Sequence, residues 1–169
     1  MIVELFNDKT VKAKAQTETL SSWLLENKIT LAELIAFAEN AKDSPKATCV
    51  EALEFASKQN PTIVDKKSFQ FVTGTLTAKA PRIKWESAKV IGNVAHLFKD
   101  KLDEAITNLL TNSEYEGTVV RWSAAFALGE IIKLKTKHNK ELIPAIEAIC
   151  NAEEKNSIKK IYLAALKEL

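Results

Sequence analysis

Apolar residues recur along almost the whole chain at intervals of three and four positions, which places them on one face of an α-helix. Only four glycines and four prolines occur, too few for a loop-rich β fold and typical of helices joined by short turns. The periodic segments predict nine helices, at 9–27, 31–42, 45–59, 62–78, 81–97, 101–113, 118–135, 139–151 and 156–168.

Helix starts are marked by capping residues and prolines. Thr30 and Glu33 have the spacing of a capping box, in which each side chain accepts a hydrogen bond from the other residue's backbone N–H. Ser44 is the predicted cap of the third helix, with Pro45 at the first helical position, where a missing N–H does no harm. Pro61 and Pro81 mark further starts in the same way.

The helices form a repeat. The segment PRIKWESAKVIGNVA matches TVVRWSAAFALGEII at a shift of 37 positions, which aligns Trp85 with Trp122 and Gly92 with Gly129. Weaker copies occur at PKATCVEALEFA, at a shift of 36, and at SIKKIYLAALKEL, at a shift of 39. A period in this range with two helices per unit indicates an α-solenoid, in which each helical pair buries its apolar face against its neighbours.

Two of these copies resemble the first helix of HEAT repeats, through Ile83-Lys84, Ser87-Ala88 and Val90-Ile91-Gly92, and through Val120-Arg121, Ala124-Ala125 and Ala127-Leu128-Gly129. The resemblance implies an all-α fold, a right-handed α-α superhelix of the ARM/HEAT type with about four helical-pair repeats. It places the repeats at roughly 9–43, 44–79, 80–116 and 117–153, with a capping helix at 154–169, in a single domain over 1–169.

Small residues in the repeated helices predict close helix packing. Ala88, Gly92, Ala125 and Gly129 allow neighbouring backbones to approach without voids. The predicted core fillers around them are Ile83, Ile91, Val94, Val120, Leu128 and Ile131. The resemblance also implies that a basic residue in the register of Lys84, Arg121 and Lys160 ties neighbouring repeats together through an acidic partner.

Trp85 and Trp122 occupy one register of adjacent repeats and flank the apolar stripe. One interpretation is packing between repeats, because the weaker copies place Cys49 and Ile161 there. The other is a two-step aromatic ladder that contacts a ligand or partner. Both interpretations stay open at the level of sequence.

Charge is distributed unevenly although the net charge is only +2. The turns inside the predicted helical pairs are basic, with Lys58, Lys66, Lys67, His96, Lys99, Lys101, Lys133, Lys135, Lys137, His138 and Lys140. The turns between pairs lean acidic, with Glu39, Asp43, Glu114, Glu116, Glu153 and Glu154. Equivalent turns of a solenoid share an edge, so we expect two edges of opposite charge. The alternative is that these lysines only stabilise the C-terminal ends of the first helices and keep the protein soluble.

Candidate partner-binding residues follow from this charge pattern and from the tryptophan register. They are Lys99, Lys101, Lys133, Lys135, Lys137 and Lys140, with Trp85 and Trp122. The predicted partner is a protein with an acidic surface. Only two of the 24 basic residues are arginine, which argues against a surface specialised for nucleic-acid phosphates.

The sequence carries no catalytic motif and no metal-ligand spacing, so we expect neither a cofactor nor a metal. His96 and His138 lie in lysine-rich turns and are expected to be solvated, and Cys49 and Cys150 to be buried, reduced thiols. No signal peptide and no run of about 18 apolar residues occurs, so we expect a cytoplasmic protein without a membrane span.

The predicted function is a non-catalytic scaffold for protein–protein interaction. The alternative is nucleic-acid binding, including DNA repair of the kind carried out by HEAT-like alkylpurine DNA glycosylases, although none of their functional residues can be placed on this sequence. A third hypothesis, a role toward a cofactor-carrying protein, rests on analogy with HEAT-like phycobilin lyases and therefore on fold alone.

Overall fold

The computed structural model describes residues 1–169 and contains helices and no strands. The α-helices are α1 Ile2–Asn7, α2 Ala13–Leu25, α3 Leu31–Glu39, α4 Asp43–Gln59, α5 Lys66–Thr75, α6 Pro81–Val94, α7 Asp103–Asn112, α8 Thr118–Lys133, α9 Asn139–Ala152 and α10 Asn156–Lys167. Two short 3₁₀ turns, Pro61–Ile63 and Ala95–Leu97, lie between them. None of the helices is both long and apolar enough to cross a membrane.

The helices form two layers. The first-helix layer stacks α2, α4, α6, α8 and α10 in chain order, each packed closely against the next. The second-helix layer holds α3, α5, α7 and α9, each packed on its first-layer neighbours and only loosely on the other second-layer helices. This difference in packing leaves grooves between successive helices of the second-helix layer.

Small residues permit the close packing of the first-helix layer. A Cβ atom on Gly92 of α6 would lie 2.3 Å from the Phe126 ring of α8, and one on Gly129 would lie 3.2 Å from Cβ of Ala165 in α10. Ala88 and Ala125 are fully buried. These positions confirm the predicted role of the small residues. All six predicted core fillers are buried, namely Ile83, Ile91, Val94, Val120, Leu128 and Ile131.

The N-terminal prediction of one helix over 9–27 is wrong. Residues 2–7 form α1, and the next helix begins only at residue 13. The carboxylate of Asp8 accepts hydrogen bonds from the backbone N–H and the hydroxyl of Thr10, at 2.9 and 2.6 Å. This local side-chain bonding competes with the helix and holds a turn between α1 and α2.

The capping box at α3 is confirmed. The carboxylate of Glu33 accepts from the backbone N–H of Thr30 at 2.6 Å, and the Thr30 hydroxyl accepts from the backbone N–H of Glu33 at 3.1 Å. The predicted cap at Ser44 is wrong, because α4 begins at Asp43, two residues before the predicted start, and no side chain caps it. Pro45 therefore lies at the third helical position, where its missing N–H is still harmless.

The segment predicted as one helix over 62–78 is divided. Pro61 opens a 3₁₀ turn, and α5 begins after Asp65, whose carboxylate accepts from the backbone N–H of Ser68 at 2.8 Å. Pro81 is the first residue of α6, as predicted. Both cysteines, Cys49 and Cys150, are buried and form no disulfide.

Candidate binding surface on the second-helix layer

The turns inside the helical pairs meet along one edge, which carries the N-terminal ends of α5, α7 and α9. The groove between α5 and α7 brings Lys66 and Lys67 together with Lys101 of the next repeat, in a cavity of about 480 Å³. The N-terminal end of α7, which no side chain caps, adds partial positive charge to this site, whereas the carboxylate of Asp65 caps α5. This cavity, the α5–α7 groove, therefore has the basic character that the turn sequences predict.

The groove between α7 and α9 at the same edge is different. Lys137, His138 and Lys140 line it together with Asp103 and Glu141, in a cavity of about 400 Å³. Nδ1 of His138 lies 3.5 Å from the Asp103 carboxylate. Carboxylates therefore offset the lysines, and this α7–α9 groove is close to electrically balanced.

The opposite edge carries an acidic groove of about 440 Å³, again between α7 and α9. Glu114, Glu153 and Glu154 line it, and Arg121 is its one basic residue. The Arg121 guanidinium is bound to the Glu153 carboxylate, with Nε to Oε2 at 3.0 Å and Nη2 to Oε1 at 3.3 Å. The second-helix layer thus has oppositely charged cavities at its two edges.

Most of the sequence-predicted lysines are free at the basic edge. Lys99, Lys101, Lys135, Lys137 and Lys140 are exposed and have no carboxylate within 4.0 Å.

Lys133, in contrast, is already paired. Its Nζ lies 2.8 Å from the Glu130 carboxylate and 3.7 Å from that of Glu168. The hydrogen bond to Glu130 raises the pKa of Lys133. Because both of its near neighbours are carboxylates of this chain, Lys133 is less available to a partner than the sequence suggests.

An aromatic pair positions the α5–α7 groove. The ring of Phe69 in α5 stacks on that of Phe98, with centroids 4.4 Å apart and planes inclined by 17°. Both residues are buried. Phe98 precedes the turn that holds Lys101, so the stack fixes this turn against α5. Sequence reasoning missed the pair because Phe98 follows the helical pattern, and nothing local shows which repeat it contacts.

Trp85 and Trp122 lie on the first-helix layer, and neither lines any of these three grooves. Trp122 of α8 is 39 % exposed and stacks on Phe126, with ring centroids 6.2 Å apart. Trp85 is half-buried, and its Nε1 donates to the Glu86 carboxylate at 2.8 Å. Cys49 is fully buried, so its alignment with the tryptophans does not reflect an equivalent environment. The structure does not bring the tryptophans and the candidate lysines together.

The three aligned basic residues differ in their partners. Arg121 has an acidic partner, Glu153, but this residue lies at the end of the same repeat, and Arg121 reaches the preceding repeat only through the carbonyls of Tyr115 and Glu116. Lys84 instead donates to neutral acceptors, the Asn112 side chain at 3.2 Å and the Leu76 carbonyl at 3.4 Å. Lys160 is exposed and unpaired. The implied acidic tie between neighbouring repeats is therefore wrong for all three.

Solved structures share this arrangement of helices. A designed armadillo repeat protein in complex with the peptide (KR)4 superposes with a TM-score of 0.75 at 16 % identity, over 99 % of this chain and 80 % of that one. A chain from the complex of CpcE and CpcF of phycocyanin lyase from Nostoc superposes with a TM-score of 0.71 at 15 % identity, over 98 % and 95 %. The protein is an α-solenoid of the armadillo/HEAT type.

At these identities the likeness of the solenoid to known structures concerns the fold alone. A scan of protein-family models and a search of curated proteins give no match. No group of three or more His, Cys, Asp or Glu side chains in the solenoid is arranged to hold a metal ion.

Buried carboxylates between α4 and α6 of the solenoid went unnoticed at the sequence level. Glu54 and Glu86 are 7 % and 4 % exposed. Burial raises the pKa of both, and nearby Lys89 offsets it only in part, while Glu51 raises it further. Oε2 of Glu86 lies 3.3 Å from Nζ of Lys89 yet makes no hydrogen bond. The sequence held one signal of the burial of Glu86, because this residue falls on the apolar stripe of its helix, three residues after Ile83.

These carboxylates predict a pH dependence of stability. The pKa of each carboxyl in the folded protein lies above the ordinary value of 4.5. Their contribution to the free energy of unfolding is therefore fully present below pH 4.5 and is lost as pH rises through the folded pKa. We expect the double variant Glu54→Gln and Glu86→Gln to have a flatter dependence of Tm on pH between about 5 and 8 than the parent protein, because the variant has no buried charge to form. Thermal unfolding followed by circular dichroism across this range measures the slope.

Glu18→Gln is the matched control, because Glu18 is exposed on α2. It should leave the slope of the parent protein unchanged. An equal slope in the double variant would contradict the assignment of this pH dependence to Glu54 and Glu86.

Proposed function

We propose that this solenoid is a non-catalytic scaffold that binds an acidic segment of another protein through its basic edge. The observation that carries the proposal is the α5–α7 groove, where Lys66, Lys67 and Lys101 converge from two repeats and only Glu104 opposes them. No carboxylate of the chain lies within 4.0 Å of any of the three lysines. Positive side chains left unpaired in a concave site favour an anionic partner.

The similar structures support the general form of this proposal. One was solved with a bound peptide, and the other is a complex of two protein subunits. Both therefore use this fold where polypeptides associate. The peptide (KR)4 is basic and would be repelled by the α5–α7 groove, which is also basic. The charge of the partner is therefore inferred from the lysines of this chain.

Charge reversal tests the proposal. The variant Lys66→Glu, Lys67→Glu and Lys101→Glu is compared with the parent protein as bait for affinity capture from the native lysate, followed by mass spectrometry. We expect the major captured protein to be lost, because like charges now face each other across the interface. Capture by the parent protein should also weaken as salt is raised.

Two matched variants make the test specific. Lys12→Glu, Lys14→Glu and Lys160→Glu change the same number of exposed lysines elsewhere and should leave capture intact. Lys135→Glu, Lys137→Glu and Lys140→Glu alter the balanced half of the basic edge and should have a smaller effect than the groove variant. Capture that survives reversal of the α5–α7 groove would contradict the proposed docking edge. Recovery of nucleic acid in place of a protein would contradict the scaffold function itself.

A further inference from the structure

Polar side chains line the α5–α7 groove beneath its lysines. Lys66, Gln70 and Thr73 follow one another at helical spacing along α5 and line one wall, with Lys101 and Glu104 on the other. The Asn108 side chain of α7 donates to the Thr73 carbonyl at 3.1 Å. Thr73 therefore lies on the side of α5 that faces α7, at the base of the groove.

The Thr73 hydroxyl is the unusual group at this base. Thr73 is 3 % exposed, and its Oγ1 has no hydrogen-bond partner. The next hydroxyl in the same helix, that of Thr75, bonds both the Val72 carbonyl at 3.0 Å and the Ser87 hydroxyl at 2.7 Å. Buried polar side chains almost always have a partner, so this unpartnered hydroxyl at the base of the groove is a free donor for a ligand that accepts a hydrogen bond.

The backbone contributes further donors. No side chain caps the first turn of α7, which begins at Asp103 between Lys101 and Glu104. The first N–H groups of a helix have no partner within it and attract anions. The groove therefore combines three ammonium groups, one hydroxyl, the Gln70 amide and an uncapped helix end with the carboxylate of Glu104, while Asp103, the other acid of this first turn, lines the α7–α9 groove.

We infer that the α5–α7 groove binds a phosphate monoester carried by the partner, that is, a phosphorylated serine or threonine. A phosphate monoester carries a charge of about −1.5 to −2 and three acceptor oxygens. A carboxylate carries one charge and two oxygens, fewer than the groove can neutralise. This inference rests on the proposed function, since it names the acidic group that the scaffold recognises.

The next groove shows why the site is single. The α7–α9 groove has the same position one repeat later, but Asp103 and Glu141 offset its lysines. A dianion placed there would face two carboxylates. One phosphorylated residue per partner segment is therefore the expected stoichiometry.

The test uses three peptides of one sequence, Gly-Ser-Gly-X-Gly-Ser-Gly, in which X is phosphoserine, glutamate or serine. They are titrated into ¹⁵N-labelled full-length protein and followed by amide chemical shifts. We expect the phosphoserine peptide to shift amides of α5 and of the turn before α7, with an affinity about tenfold higher than that of the glutamate peptide. The serine peptide should not bind.

Two near-isosteric variants separate recognition from structure. Thr73→Val removes the hydroxyl but keeps the shape, so we expect about tenfold weaker binding of the phosphoserine peptide with no loss of Tm. Glu104→Gln removes the opposing carboxylate and should strengthen binding several-fold. A merely structural Thr73 would leave affinity unchanged.

Equal affinity for the glutamate and phosphoserine peptides would overturn the phosphate inference and leave the acidic-partner function standing. Failure of both the glutamate and the phosphoserine peptide to bind would also overturn the phosphate inference. The scaffold function is tested independently, by lysate capture with the parent protein and its charge-reversal variant. Tighter binding of a short DNA duplex at the same amides would overturn both in favour of nucleic acid.

Discussion

Arg121→Ala is expected to lower the free energy of unfolding by about 3 kcal/mol, because it leaves Glu153 buried without its counter-charge. Arg121 connects three segments, since its Nη1 also donates to the carbonyls of Tyr115 and Glu116, at 3.1 and 2.9 Å. Burial alone would raise the pKa of Glu153, but hydrogen bonds from Arg121 and from the backbone N–H of Lys155 lower it overall. Chemical denaturation measures the loss, which corresponds to a fall of roughly 6–12 °C in Tm for a chain of this size.

The other arginine of the chain is the matched control. Arg82 pairs with Glu51 across α4 and α6, but both side chains are more exposed than Arg121 and Glu153. Arg82→Ala should therefore lower the free energy of unfolding by about 1 kcal/mol or less. Adding Glu153→Gln to Arg121→Ala should restore part of the loss by removing the unpaired charge. Equal losses for the two arginines would contradict the importance of the buried pair.

Ala125→Leu is expected to lower the free energy of unfolding by roughly 1–3 kcal/mol through overpacking. Ala125 is fully buried in α8, one turn before Gly129, which lies against Ala165 and Ile161 of α10. A leucine side chain has no space between first-layer helices that pack this closely. The helices must therefore separate, or the side chain must adopt a strained rotamer. Thermal and chemical unfolding both measure the effect.

Ala164→Leu provides the comparison for this substitution. Ala164 is exposed on α10, so the same added volume enters solvent and should change stability by less than about 0.5 kcal/mol. An unchanged Tm for Ala125→Leu would contradict the packing assignment of the small residues.

Helical periodicity predicted most of the fold because each helix buries a continuous apolar stripe. The predicted helix from residue 118 ends within two residues of the observed end of α8, and the predicted start at residue 81 coincides with that of α6. The errors fall where side chains bond locally to the backbone. Asp8 with Thr10, and Asp65 with Ser68, create turns or starts that an apolar pattern does not encode.

The candidate site was only partly accessible to sequence reasoning. The basic turns predicted the edge that carries the α5–α7 groove, including Lys101, because equivalent turns of a repeat share an edge. The pair of Lys133 with Glu130 was accessible from the sequence, because the two residues are three positions apart in α8. The sequence could not show that Lys133 also approaches Glu168, or that carboxylates line the α7–α9 groove, because those distances depend on how far apart different helices pack.

The sequence by itself determined the class of the molecule, since its period, its small residues and its charged turns specify stacked helical pairs with a basic edge. Only the tertiary structure decided which lysines converge with Lys66 and which carboxylates are buried between α4 and α6. The physical reason is that secondary structure follows from contacts within a few residues. A binding groove instead depends on the spacing between helices, which is set by the packing of side chains such as Phe69 and Phe98 from different repeats.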